Sequence, residues 1–154
     1  MSTPRIQLLS PRSEALALGL RLPLQSASSD AQIDTAFANF AQQRVNAVIV
    51  GTDQFFGTRH DLLVGLAARY AMPAIYYLRE AVAAGGLISY GTSITDAFRL
   101  AASYAGRILK GEKAGDLPVQ QTVRFELAIN VKTAKALGLE IPATLFARAD
   151  EVIE

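Results

Sequence analysis

The sequence predicts an α/β fold built on a mainly parallel sheet with flanking helices. Short apolar runs recur along it: Ala47-Val48-Ile49-Val50, Ala74-Ile75-Tyr76 and Leu87-Ile88-Ser89-Tyr90. Each is brief and rich in β-branched or aromatic residues, as strands are. Between them lie stretches whose apolar residues repeat at helical spacing. Such alternation is what crossover helices between parallel strands require. At 154 residues the chain has the size of one domain with room for a real core.

The elements follow in order. Residues 11–19 read as a short helix stopped by Gly19. Leu20-Arg21-Leu22-Pro23-Leu24 reads as an alternating strand at a sheet edge, where its proline is tolerated. Ser29 and Gln32 have capping-box spacing and open a helix with Ile33, Phe37, Phe40 and Ala41 on one stripe. Residues 47–50 are a continuous apolar run ending at Gly51, the pattern of a strand buried on both faces. Thr58 with Asp61 caps the next helix, whose stripe is Leu62, Leu63, Leu66, Ala67 and Tyr70. Pro73 leads into strand 74–76, and a short helix separates it from strand 87–90. Strands near 20–24, 47–50, 74–76 and 87–90 are thus expected side by side, with helices 30–43 and 59–71 on the sheet faces.

Ser93 and Asp96 open a long helix that runs to Lys110 and stops at Gly111. Glu112 to Pro118 is a polar connector, and Thr122 to Ile129 reads as extended. Asn130 caps a helix ending at Leu137-Gly138, and Pro142 starts a last helical turn.

Composition closes off several functions. Half of the residues are hydrophobic (51%) and 19% are charged, which excludes disorder. Fifteen basic against fourteen acidic side chains give no field that would steer nucleic acid or an anionic membrane. No run approaches the ~20 apolar residues of a membrane span. The start, Met1-Ser2-Thr3-Pro4-Arg5, leads into no sustained apolar stretch of a secretory signal, so the expectation for the chain as it stands is cytoplasmic, and periplasmic for a longer precursor. With no cysteine there is no thiol catalysis, disulfide or thiolate metal site. His60, the one histidine, sits beside Arg59 and Asp61, but adjacent helix residues do not face one another. Gly51 to Gly57 lacks the Lys-Ser/Thr of a phosphate loop, and Gly85-Gly86 is not a dinucleotide fingerprint. No catalytic constellation or cofactor follows, so a binding function is expected rather than an enzyme.

Several segments carry a resemblance in order and spacing. They are Asp53-Gln54-Phe55-Phe56, Arg69 to Tyr76, Glu80 to Gly91, Ile108 to Lys113, Asp116 to Val119, Phe125 to Asn130, Lys132 to Leu139, Ile141-Pro142 and Leu145 to Glu151. Together they resemble the substrate-binding proteins of ABC transporters, of the type I periplasmic-binding fold. The likeness spans residues 30–154 well and 1–29 loosely. It corresponds to the second, C-terminal lobe of such a protein, truncated before that lobe's opening strand. The resemblance implies residues 1–91 as an α/β lobe, 92–121 as a crossover helix and connector that pack on a first lobe, and 122–154 as a return to the lobe. It further implies a small organic solute, amino-acid-like or aromatic, and an ABC permease as partner.

In open α/β sheets ligands sit beyond the carboxyl ends of strands. Asp53 follows strand 47–50 and fits either a hydrogen bond to a ligand amine or hydroxyl, or a turn made with its own backbone. Phe55 and Phe56 fit stacking on a flat ligand or packing between sheet and helix. Arg79 and Glu80 follow strand 74–76, and the guanidinium suits a carboxylate; a surface pair at a helix start is the alternative. Tyr90, before Gly91, is a hinge-lining contact or plain strand packing. Asp53, Arg79 and Glu80 are expected on one concave edge. The stripe Ile94, Phe98, Ala101, Ala105, Ile108 and Leu109 needs a cover, which makes a homodimer through residues 92–110 the expectation. A lobe persisting as a homo-oligomer without a transport role is the alternative function.

Overall fold

A computed structural model of the chain describes residues 17–120 and 124–154. Its sheet has the order β1-β2-β3-β4-β5. β1 (Val48–Ile49), β2 (Ala74–Tyr76) and β3 (Ile88–Thr92) run parallel, each joined to the next by helix. β4 (Phe125–Asn130) pairs antiparallel with β3, and β5 (Glu151–Ile153) parallel with β4. This is the α/β, mainly parallel arrangement that the alternating pattern predicts.

One face of the sheet carries the core. α1 (Asp30–Gln42) and α3 (His60–Arg69) bring Ile33, Phe37, Leu63 and Leu66 against Val48, Ala74 and Tyr76. Burial of each large side chain contributes about 1.5–3 kcal/mol. α4 (Arg79–Ala83) presses Ala81 and Val82, both fully buried, onto the same layer. The register pairs Tyr76 with Ser89 and Ser89 with Ala128, so small residues beside the ring leave it space.

Local signals explain the boundaries. Ser29 caps α1 by accepting the Gln32 N–H at 3.3 Å, and Ser93 caps α5 (Ile94–Leu109) by accepting from Asp96. Asn130 Oδ1 accepts the Thr133 N–H at 2.9 Å and starts α6 (Val131–Ala136), which Gly138 ends with φ of 68°. Gly111 closes α5 with φ of 102°.

The structure departs from the sequence reading at several elements. Residues 20–24 are not a strand: they run irregularly beside β1, and both segments line an apolar groove of about 280 Å³. The alternating pattern there finds no hydrogen-bonded neighbour among the described residues, and Pro23 has no N–H to offer one. The run 47–50 is not buried on both faces. Val48 is covered by the core helices, but Ile49 alternates to the other face and is 71% exposed there; β1 also ends the sheet, its one paired neighbour among the described residues being β2. The Thr58 cap also fails. Its hydroxyl donates to the Phe55 carbonyl, which ends α2 (Gln54–Gly57), while Arg59 at the start of α3 makes no side-chain capping bond. Gln32 closes its box on the Ser28 N–H at 2.7 Å rather than on Ser29. Strand β5 is new, lying beyond the turn α7 (Ala143–Phe146) that follows Pro142. The helix read over 11–19 falls largely outside the described residues, as do Thr122 and Val123 of the extended segment.

Candidate functional site

The strand directions gather one set of residues at one end of the sheet. β1, β2 and β3 finish there, and the oppositely directed β4 and β5 begin there. Asp53, Arg79 and Glu80 leave the first two strands, Tyr90 lies near the end of β3, and Phe125, Glu126 and Glu151 open the last two. Asp53, Arg79, Glu80 and Tyr90, singled out from the sequence, thus follow strands, or lie near the close of one, at the same end of the sheet.

Tyr77 organises its centre. Its hydroxyl donates to the Asp53 carbonyl at 2.8 Å and tethers the loop after β1 to the exit of β2. A Cβ on Gly57 would overlap that hydroxyl, and one on Gly91 would overlap the Tyr77 carbonyl oxygen, so both close approaches need glycine. Partial burial raises the Tyr77 phenol above its ordinary pKa, with the Asp53 and Glu80 carboxylates adding to the rise. Both carboxylates therefore act on one point of the rim. Asp53 Oδ1 accepts the Phe55 N–H at 2.7 Å as the cap of α2, which fixes the carboxylate's direction.

Arg79 forms a fork with Glu151, Nε to Oε2 at 2.5 Å and Nη2 to Oε1 at 2.6 Å. That hydrogen bond, then the Glu151 charge, raises the guanidinium further above its ordinary value, so it is a permanent cation. The fork occupies one edge of the guanidinium. Glu80 is exposed beside it.

The aromatic residues differ in how much face they offer. Phe55 and Phe56 meet edge-on at 5.5 Å and are half-buried against the core, and the Arg59 guanidinium lies 4.1 Å over the Phe55 ring. Tyr90 is 55% exposed and stacks on Phe125 at 5.4 Å and 17°. His60 is apart from this set, its Nδ1 2.9 Å from the Gly57 carbonyl oxygen. Among the described residues no cluster of His, Asp or Glu could hold a metal, and no helix is long and apolar enough to cross a membrane.

Comparison with known proteins gives this rim its context. The sequence profile described as ABC transporter substrate binding protein matches residues 6–153. The chain belongs to that family. None of the curated proteins matches it. Several solved structures share the fold. A conserved domain protein from Vibrio cholerae O1 biovar El Tor superposes with a TM-score of 0.80 at 24% identity, over 92% of this chain and 47% of its own. An ABC domain from Streptococcus pneumonia, solved in complex with L-Trp, gives 0.80 at 25% identity over 92% and 49%. An open, ligand-free substrate-binding protein with adhesive properties from Clostridium difficile gives 0.64 at 20% over 92% and 47%. The chain thus spans about half the length of the solved chains it matches.

Sequence reasoning missed Tyr77, Glu151 and Phe125. Tyr77 reaches a backbone carbonyl 24 residues away and Glu151 pairs 72 residues away, so no local spacing announces either. The signal within reach was Tyr77 itself, one residue past a strand end, with glycines at 57, where α2 ends, and 91, inside β3.

Proposed function

We propose that this chain is a solute-binding lobe of an ABC importer and takes an amino-acid-like ligand with an aromatic or other flat side chain. The observation that carries the reading is the placement of opposite charges on one rim: the Arg79 guanidinium at the exit of β2, with Asp53 and Glu80 flanking Tyr77. A free amino acid carries the complementary pair, a carboxylate for Arg79 and an ammonium for Asp53 and Glu80. Phe55, Phe56 and Tyr90 supply apolar surface on the same rim. The L-Trp bound to the pneumococcal relative supports the ligand class. In such importers the partner is a permease, and the ligand is held where two lobes close.

Calorimetric titration with L-tryptophan tests this. Wild-type chain is expected to bind, and Asp53→Ala with Arg79→Ala to abolish binding while costing about 1–3 kcal/mol of stability, from the lost α2 cap and the lost fork with Glu151. A double variant that binds as well as wild type overturns the assignment.

A second reading rests on α5. None of its residues is buried, and Phe98 and Leu109 stand 72% and 88% exposed. We propose that this stripe seats a second copy of the chain as a homodimer, the basis of an interaction role without transport.

A further inference from the structure

We propose that the end of the lobe opposite the rim holds a second binding site, for a small neutral molecule with an apolar body and one hydrogen-bond acceptor. A cavity of about 530 Å³ opens there, between the end of α3, the turn after α4 and the start of α6. This volume is within the range of small-molecule sites. The space exists because its walls are short: Ala67 and Ala71 on one side face Ala84 and Gly85 on the other.

The cavity has one unanswered polar group. Tyr76 lines it, is 3% exposed, and its hydroxyl, itself shut off from solvent, has no hydrogen-bond partner among the described residues. Buried hydroxyls are otherwise paired in nearly every folded protein. Its ring packs against Gly86, where a Cβ would come within 2.7 Å of Cε2, so any side chain at 86 would displace it. Neighbouring polar groups already answer one another. Asn130 donates to the Val82 carbonyl at 3.3 Å and accepts from Thr133 at 2.9 Å, and the Thr133 hydroxyl donates to the Gly85 carbonyl at 2.8 Å. Burial also pushes the Tyr76 phenol up to about 12, so it stays protonated and serves as a donor. What is missing is an acceptor. Lys132 and Glu154 stand in the wall with opposite signs, so neither sign of ligand gains over a neutral one.

The site is independent of the solute rim, which lies past the other ends of the same strands, and it does not rest on the proposed ligand class there. Acetophenone is a suitable probe, with ethylbenzene (no acceptor) and benzoate (charged) as comparisons, followed by amide shifts in two-dimensional NMR. Acetophenone is expected to shift Ala84, Gly85 and Gly86 and to bind about tenfold more tightly than either comparison, the worth of one hydrogen bond. Tyr76→Phe should lose that tenfold advantage and leave ethylbenzene binding unchanged. Ala68→Phe, on the exposed side of the wall, should weaken acetophenone and ethylbenzene together, and decides the matter if Tyr76→Phe does not fold. No shift with acetophenone, equal binding by Tyr76→Phe, or shifts at Asp53 and Arg79 instead would overturn the proposal.

Discussion

Tyr77 owes its position to glycines on either side. A methyl on Gly91 would drive into the Tyr77 backbone, which cannot move without breaking the β2–β3 pairing. Gly91→Ala is therefore expected to destabilise by about 1–3 kcal/mol. Gly65→Ala, in α3 with open space around it, should be neutral or stabilise by up to about 1 kcal/mol. Urea midpoints that fail to separate the two variants would refute the close-approach argument. Tyr76 gives a pH signature. Its folded pKa of about 12 lies above the ordinary 10.0, so the fold favours the neutral phenol. The stability it contributes is fully present below pH 10.0 and is lost as pH rises through about 12. Urea titrations should show wild type losing stability more steeply than Tyr76→Phe across that window; parallel curves would contradict it. At this scale three of the caps were legible, while the one read at Thr58 was not. Ser29, Ser93 and Asn130 satisfy backbone donors a few residues away, and such bonds leave a spacing in the sequence. The Arg79–Glu151 fork leaves none, because the fold brings its partners together.

Among the elements, α1, α3 and the parallel strands were readable because one buried face imposes one period. The stripe on α1 places Ile33 and Phe37 in the core, as its spacing requires. Periodicity misled at residues 20–24, since alternation states which side chains could face a core but not whether a neighbouring strand exists to pair with. β5 escaped notice because Glu151-Val152-Ile153 is too short to carry a pattern. The amphipathic stripe of α5 was equally legible, and the described residues leave it uncovered. Light scattering of wild-type chain is expected to give a dimer, and Ile94→Lys with Phe98→Glu to give a monomer or an insoluble product. As α5 buries no residue, the double substitution should leave the unfolding midpoint of the lobe nearly unchanged in the monomeric fraction. A soluble wild-type monomer at high concentration would remove the homodimer reading.

For the molecule as a whole, the alternation of strands and helices disclosed the α/β class, and the residues after the strands disclosed which end bears the rim. The cavity at the other end was invisible in the sequence, because an alanine records a small side chain and not the space in front of it. The edge at β1 has a consequence for assembly. Val48 and Val50 donate inward to Pro73 and Ile75 at 2.8 and 3.0 Å, so the residue between them, Ile49, turns its backbone groups outward. Two such edges can join antiparallel across a two-fold axis. With the α5 stripe pairing as proposed, this edge, open among the described residues, gives the chain a second self-complementary surface, so that dimers can go on to join one another as concentration rises. Ile49→Lys should hold the protein at the dimer, measured as scattering that levels off at high concentration where wild type climbs beyond the dimer. Equal curves would mean the edge is already closed. Whatever covers β1 in the cell therefore decides whether this lobe is a component or a monomer unit of a polymer.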